Sequence, residues 1–136
     1  MNYLGIDYGE HRVGIAFADS ELKWAFARET IDQKKTDLMA RLAELVRVNK
    51  VDVLVVGMPY RPDGRMDGKN LVVEEFVRNL RTSFPDIRIE TEDESYTSVT
   101  ALSETSYLKK KKKQADKGLV DRLAAQHILQ SYLDNR

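Results

Sequence analysis

The stretch YLGIDYGEHRVGIAFAD, residues 3–19, decides the fold. Residues 3–7 form a short apolar run, a Gly-containing turn follows, and a second apolar run fills residues 13–18; together they read as a β-hairpin. The first run ends on Asp7, and a carboxylate at the end of a central strand costs free energy unless something satisfies it. Two readings of Asp7 stand. It caps the hairpin turn by accepting backbone N–H bonds, or it holds a ligand.

Working outward, residues 25–31 predict a weaker third strand, and residues 37–48 place Leu38, Leu42, Leu45 and Val46 at helical spacing. VDVLVVG, residues 51–57, is an almost unbroken apolar run, the signature of a buried parallel strand. Pro59, Pro62, Gly64 and Gly68 mark a long loop. Val72, Val73, Phe76, Val77 and Leu80 then share one helical face, and that helix is expected to end near Pro85. Residues 87–92 predict a last strand, and residues 97–108 and 117–133 two further helices. Three strands and a helix, followed by strand–helix–strand–helix, predict an α/β layer fold with a mixed sheet. Right-handed crossovers bring the ends of the first, fourth and fifth strands side by side, where ligands bind in open α/β sheets.

Composition sets the bounds. A chain of 136 residues with 42% hydrophobic residues predicts one folded domain with a real core. The formal net charge is zero, so any nucleic-acid binding must come from local patches. Cysteine is absent, which excludes disulfides and thiolate metal sites and fits a reducing cytoplasm. No signal-peptide pattern and no membrane-length apolar run is present, so a cytoplasmic protein is expected.

Acidic residues recur where the strand ends should meet: Asp7, then Asp93 and Glu94 in TEDES, and Asp121 on the last helix. Carboxylates brought together repel unless a cation joins them. Mg²⁺ or Mn²⁺ is the expected cation, because hard divalent ions prefer oxygen ligands. Two such ions about 4 Å apart activate a water and stabilise a leaving phosphodiester oxygen. Each carboxylate also has a plainer reading: Glu94 solvated ahead of a helix, Asp121 at a helix's exposed edge.

Four motifs, in order and compatibly spaced, resemble the YqgF/RuvX family of pre-16S rRNA nucleases, also described as Holliday-junction-resolvase-like. GIDYGEHRVGIAFAD is similar to the opening motif through Asp7, Gly9, Arg12, Gly14, Ala16 and Asp19. VVGMPYRPDG resembles the second through Gly57, Pro59, Asp63 and Gly64, and DESYTS falls at the acidic motif. KGLVDRLAAQHILQSYL resembles the last helix through Lys117, Asp121, Ala124, Ala125, Ile128 and Leu129. The resemblance implies an RNase H-like fold, with a five-stranded mixed sheet in order 3-2-1-4-5 flanked by helices, over a single nuclease domain of residues 1–136. It also implies a metal-dependent endonuclease with Asp7, Glu94 and Asp121 as catalytic metal ligands for two Mg²⁺ or Mn²⁺ ions. The family name favours pre-16S rRNA 5′-end maturation, with Holliday junction resolution as the alternative. Ser95 stands where the family's acidic motif carries arginine, which keeps a catalytically weak nucleic-acid-binding module in view.

Five consecutive lysines at 109–113, with Lys117 close behind, read either as a solvated run or as phosphate contacts through Lys110, Lys111, Lys113 and Lys117. Arg61 and Arg65, with Lys69, sit on the long loop and are candidates for the same role; ordinary turn chemistry explains that loop equally well. Arg12 is a candidate either for phosphate contact or for pairing with Asp19. His11 and His127 read as structural, and Trp24 as a packing residue. The rival class is nucleotide binding, since GIDYG also resembles the phosphate-binding hairpin of actin-like kinases. Those proteins clamp nucleotide between two domains, and this chain has the length of one.

Overall fold

In the computed structural model, residues 1–19, 21–59, 68–93 and 117–135 are described. Strands β1 (Asn2–Asp7), β2 (Arg12–Asp19) and β3 (Trp24–Asp32) form an antiparallel meander. Helix α1 (Leu38–Val48) leads to β4 (Val53–Met58), helix α2 (Lys69–Ser83) to β5 (Arg88–Asp93), and helix α3 spans Lys117–Asp134. β4 pairs parallel with β1 and β5 parallel with β4, so the sheet runs β3-β2-β1-β4-β5. This is the expected RNase H-like order. The expected helix at residues 97–108 lies outside the described residues.

The period-two alternation of each strand divides the side chains between two cores. Leu4, Ile6, Val13, Ile15, Leu54 and Val56 pack with Leu42, Leu45, Val77 and Leu80 of α1 and α2. β4 is buried at every position, as a central parallel strand covered on both faces must be. The second core is built differently. There the sheet offers small residues, Ala16, Ala18 and Ala25 beside Val53 and Val55, and α3 sets Ala125, Ile128, Leu129 and Tyr132 against them. Gly5 and Gly14 complete this floor. A Cβ on Gly5 would stand 2.7 Å from the Leu129 Cβ and 3.0 Å from the Ala125 carbonyl oxygen.

Helix α1 starts one residue later than its apolar spacing suggests, because Asp37 is its cap. The Asp37 carboxylate accepts from the N–H groups of Met39 and Ala40, at 3.1 and 3.5 Å. Arg41 of α1 then reaches β3 in a two-pronged contact with Glu29, Nε to Oε2 at 2.9 Å and Nη2 to Oε1 at 2.7 Å. That hydrogen bonding is the first cause holding the guanidinium above its ordinary pKa.

Strand β3 is an edge, and α3 covers part of it. Ala25 donates its N–H to Gln130 Oε1 and accepts from Gln126 Nε2, both at 2.9 Å, while Gln130 Nε2 also donates to the Lys23 carbonyl at 3.1 Å. Trp24 corrects the expectation of a packing residue. It is 66% exposed, because residues 24 and 26 alternate onto the side of the edge strand that α3 does not cover.

Replacing Asp37 with alanine removes a cap and should cost about 1 kcal/mol, within the roughly 0.5–2 kcal/mol range of such changes. Urea denaturation should show a lower midpoint at unchanged slope.

Candidate metal and nucleic-acid site

The site starts from strand parity. Tyr8 turns onto the α2 side, where its ring stacks on Phe76 with centroids 4.2 Å apart. The preceding residue, Asp7, therefore faces α3, in line with Gly5 below it. The turn beyond is fixed from β3: Gln33 donates its side-chain Nε2 to the Gly9 carbonyl at 2.6 Å and its backbone N–H to the His11 carbonyl at 2.9 Å. A Cβ on Gly9 would lie 2.4 Å from the Arg12 carbonyl oxygen, so the turn closes too tightly for any other residue.

Asp121 arrives from the far end of the chain. Its backbone carbonyl oxygen would lie 1.8 Å from a Cβ built on Gly14. Gly14 is the residue directly opposite Asp7 in the β1–β2 pairing. Partners across an antiparallel pair are about 5 Å apart, so this one glycine brings the start of α3 beside the end of β1. Arg12 sits two residues before Gly14 on the same face, and its Nε donates to Asp121 Oδ2 at 2.7 Å. Its alternative partner, Asp19, is excluded: Arg12 and Asp19 are the opposite ends of β2.

At β5, alternation separates the acidic residues. Ile89 belongs to the core under α1 and α2, so Asp93 shares that face and is exposed. Glu92 takes the face of Asp7. It is in register with Gly57, the residue after the Val56 that pairs with Ile6 of β1. Its Oε2 is buried. Glu92 was missed in the sequence, although counting by twos from Ile89 reaches Asp93 and so leaves Glu92 on the opposite face. Glu94, the expected second ligand, lies outside the described residues, as do Arg61, Arg65, Lys110, Lys111 and Lys113. Lys117 is the first residue of α3. Among the described residues no three acidic or histidine side chains stand close enough together to hold a metal ion. Asp7 and Asp121, whose backbones lie on either side of Gly14, both carry carboxylates, the oxygen donors that a hard divalent cation prefers. His11 is exposed, whereas the Nε2 of His127 is buried with no hydrogen-bond partner among the described residues. On the opposite side of the hairpin turn, Tyr8, Gly9, Glu10, Gly68, Lys69 and Val72 line a cleft of about 500 Å³.

A family model described as "RuvX: Holliday junction resolvase" matches residues 1–135. A protein of Crocosphaera subtropica named "Putative pre-16S rRNA nuclease" is 39% identical over the whole chain and 94% of its own length. One of Acetivibrio thermocellus with the same name is 39% identical over the whole chain and 97% of its own length. Among solved structures, Fowlpox virus resolvase in complex with Holliday junction DNA aligns with a TM-score of 0.65 at 14% identity, covering 99% of this chain and 98% of that one. T. thermophilus RuvC with a Holliday junction substrate aligns at 0.62 and 12% identity, covering 100% of this chain and 95% of that one. At such identities the likeness is one of fold.

Gly14→Ala should force the start of α3 away from the sheet, since the clash is with backbone and no rotamer relieves it. Overpacking typically costs 1–3 kcal/mol, and about 3 kcal/mol is expected here, read as a drop in unfolding free energy.

Proposed function

The chain belongs to the RuvX family, and from that membership we propose that it is a metal-dependent endonuclease that matures the 5′ end of pre-16S rRNA in the cytoplasm. The observation that supports this reading is the close approach of the α3 backbone at Asp121 to Gly14, the residue paired with Asp7, which brings two acidic positions 114 residues apart in the sequence to neighbouring places at the strand ends. Asp7, Asp121 and Glu94 would hold Mg²⁺ or Mn²⁺, most simply as two ions. Bound there, such ions lower the pKa of an attacking water and neutralise charge on the leaving oxygen. The protein's own part is to keep the carboxylates fixed on rigid elements, a strand end and a long helix, so that little reorganisation is needed when substrate arrives.

Basic side chains would hold the substrate backbone, the candidates in the sequence being Arg12, Arg61, Arg65, Lys110, Lys111, Lys113 and Lys117. Phosphate contacts of this kind position a nucleic acid without reading its sequence. A second reading, cleavage of a four-way DNA junction, is favoured by the family's description and by full-length likeness in fold to two resolvases. Incubation with Mn²⁺ or Mg²⁺ against precursor rRNA, single-stranded RNA and a four-way junction separates the two. Faster cutting of the junction than of the precursor reverses their order.

Asp7→Asn keeps the shape of the side chain and removes its charge. Cleavage should fall below detection while circular dichroism stays that of the wild type. Millimolar Mn²⁺ should raise the melting temperature of the wild type more than that of Asp121→Asn, because a ligand at 100 times its Kd stabilises by about 2.7 kcal/mol. Full activity of Asp7→Asn, or equal shifts for Asp121→Asn, removes these residues from the site.

Changing Lys110, Lys111 and Lys113 together to glutamine should weaken binding of every nucleic acid by similar factors. Each lost contact should flatten the plot of log affinity against log salt by about 0.7 for a single strand or about 0.9 for a duplex. An unchanged slope assigns the run to solvent.

A further inference from the structure

Arg12 makes an incomplete ion pair for so well placed an arginine. Its guanidinium carries five N–H donors in a planar fork, and one of them is engaged, the Nε on Asp121 Oδ2 at 2.7 Å. Among the described residues the two Nη groups meet no acceptor, and the second Asp121 oxygen, Oδ1, meets no donor. The nearby acids are committed elsewhere or too far away: Asp32, opposite Arg12 in the β2–β3 pairing, accepts the Lys34 N–H through its Oδ1, and Asp19 is at the far end of β2. The Arg12 side chain is 34% exposed against 18% for Asp121, so the pair stands at the surface with the arginine outward. Both are on the face that carries Asp7.

An arginine serving only to pin α3 to the sheet would be expected to use its fork in two parallel bonds, as Arg41 does with Glu29. Arg12 instead contacts the carboxylate through the side of the guanidinium and leaves the end open. We propose that Arg12 is a positioning residue with two simultaneous contacts. Nε fixes Asp121 so that Oδ1 faces the cation, and the Nη pair receives the phosphate that is to be cut. The arrangement ties occupancy of the cation-binding carboxylate to the location of the phosphate through one rigid plane. A lysine cannot reproduce it, since its point charge has no fork.

This inference rests on the nuclease reading, and its test is chosen to fail separately. Full-length wild type, Arg12→Gln and Arg12→Lys are compared, with folding checked by circular dichroism and melting. Binding to a four-way DNA junction and to a single-stranded RNA is measured with EDTA present across a salt series; turnover is measured with Mn²⁺ at saturating substrate. Arg12→Gln should flatten the salt slope by the value of one contact, about 0.7 on the RNA and about 0.9 on the junction. Arg12→Lys should restore the slope, yet remain at least tenfold slower than wild type at saturation, because one ammonium serves the phosphate or Asp121 but not both. A role in holding the helix alone leaves the slope of Arg12→Gln unchanged, and that result overturns the proposal. Full turnover in Arg12→Lys overturns it too. A wild type that cuts none of the substrates overturns the nuclease reading, and this inference with it.

Discussion

Helix α3 seats on the sheet at Gly5, against the Leu129 Cβ and the Ala125 carbonyl, and at Gly14, against the Asp121 carbonyl, and the strand-end site depends on that contact. Layers of secondary structure ordinarily stand apart on interleaved side chains. Here the floor under α3 is glycine and alanine, so the helix is drawn in until its carbonyl oxygens touch the strands. The close approach sacrifices side-chain burial on the sheet, which Ile128, Leu129 and Tyr132 recover from the helix side. What it gains is placement. A valine at position 14 would lift Asp121 away from Asp7 and stretch the Arg12 contact, though none of those three residues had changed.

The second constraint is charge. Asp7 and Glu92 belong to one face of the sheet, the face that α3 with Asp121 packs over, and carboxylates brought together repel. Arg12 supplies a positive charge at the rim, directly against Asp121. That pairing holds Asp121 in place. It also explains why the arginine comes from the hairpin that carries Asp7: the two-residue step from Arg12 to Gly14 fixes both the ion pair and the helix seat in one strand.

Much of this was legible in the amino-acid order because periodicity writes it there. The alternating hairpin, the unbroken VDVLVVG run and the helical spacing of Leu38, Leu42 and Leu45 lead directly to β1, β2, β4 and α1. Crossover handedness led to the neighbouring ends of the first, fourth and fifth strands, while the full sheet order came from the family resemblance. The Arg12–Asp121 pair was not legible, since its partners are 109 positions apart and nothing local marks them. The pairing of Arg12 with Asp19 could have been dismissed beforehand: seven steps along a strand span about 23 Å. Glu92 was hidden by its neighbours. In TEDES the eye goes to the paired acids, while the register with Gly57 selects the other one. Trp24 misled because an aromatic on an edge strand needs a layer laid across its face, and among the described residues none covers it.

The two glutamines of α3 have a consequence for how this protein behaves in a crowd. An exposed edge strand is a template on which any extended chain can condense, and proteins disarm such edges with charge, proline or a bulge. Here Gln126 and Gln130 act as a one-rung surrogate strand, filling the outward donor and acceptor of Ala25 and the carbonyl of Lys23. A register shift between Ile15 and Ala16 further along disturbs the ladder beside the remainder of β3. An incoming strand would have to evict two amides before forming its first bond. The helix that seats Asp121 at one end thus guards, two turns later, against runaway sheet growth, and losing its docking would expose a sticky edge along with the disordered site.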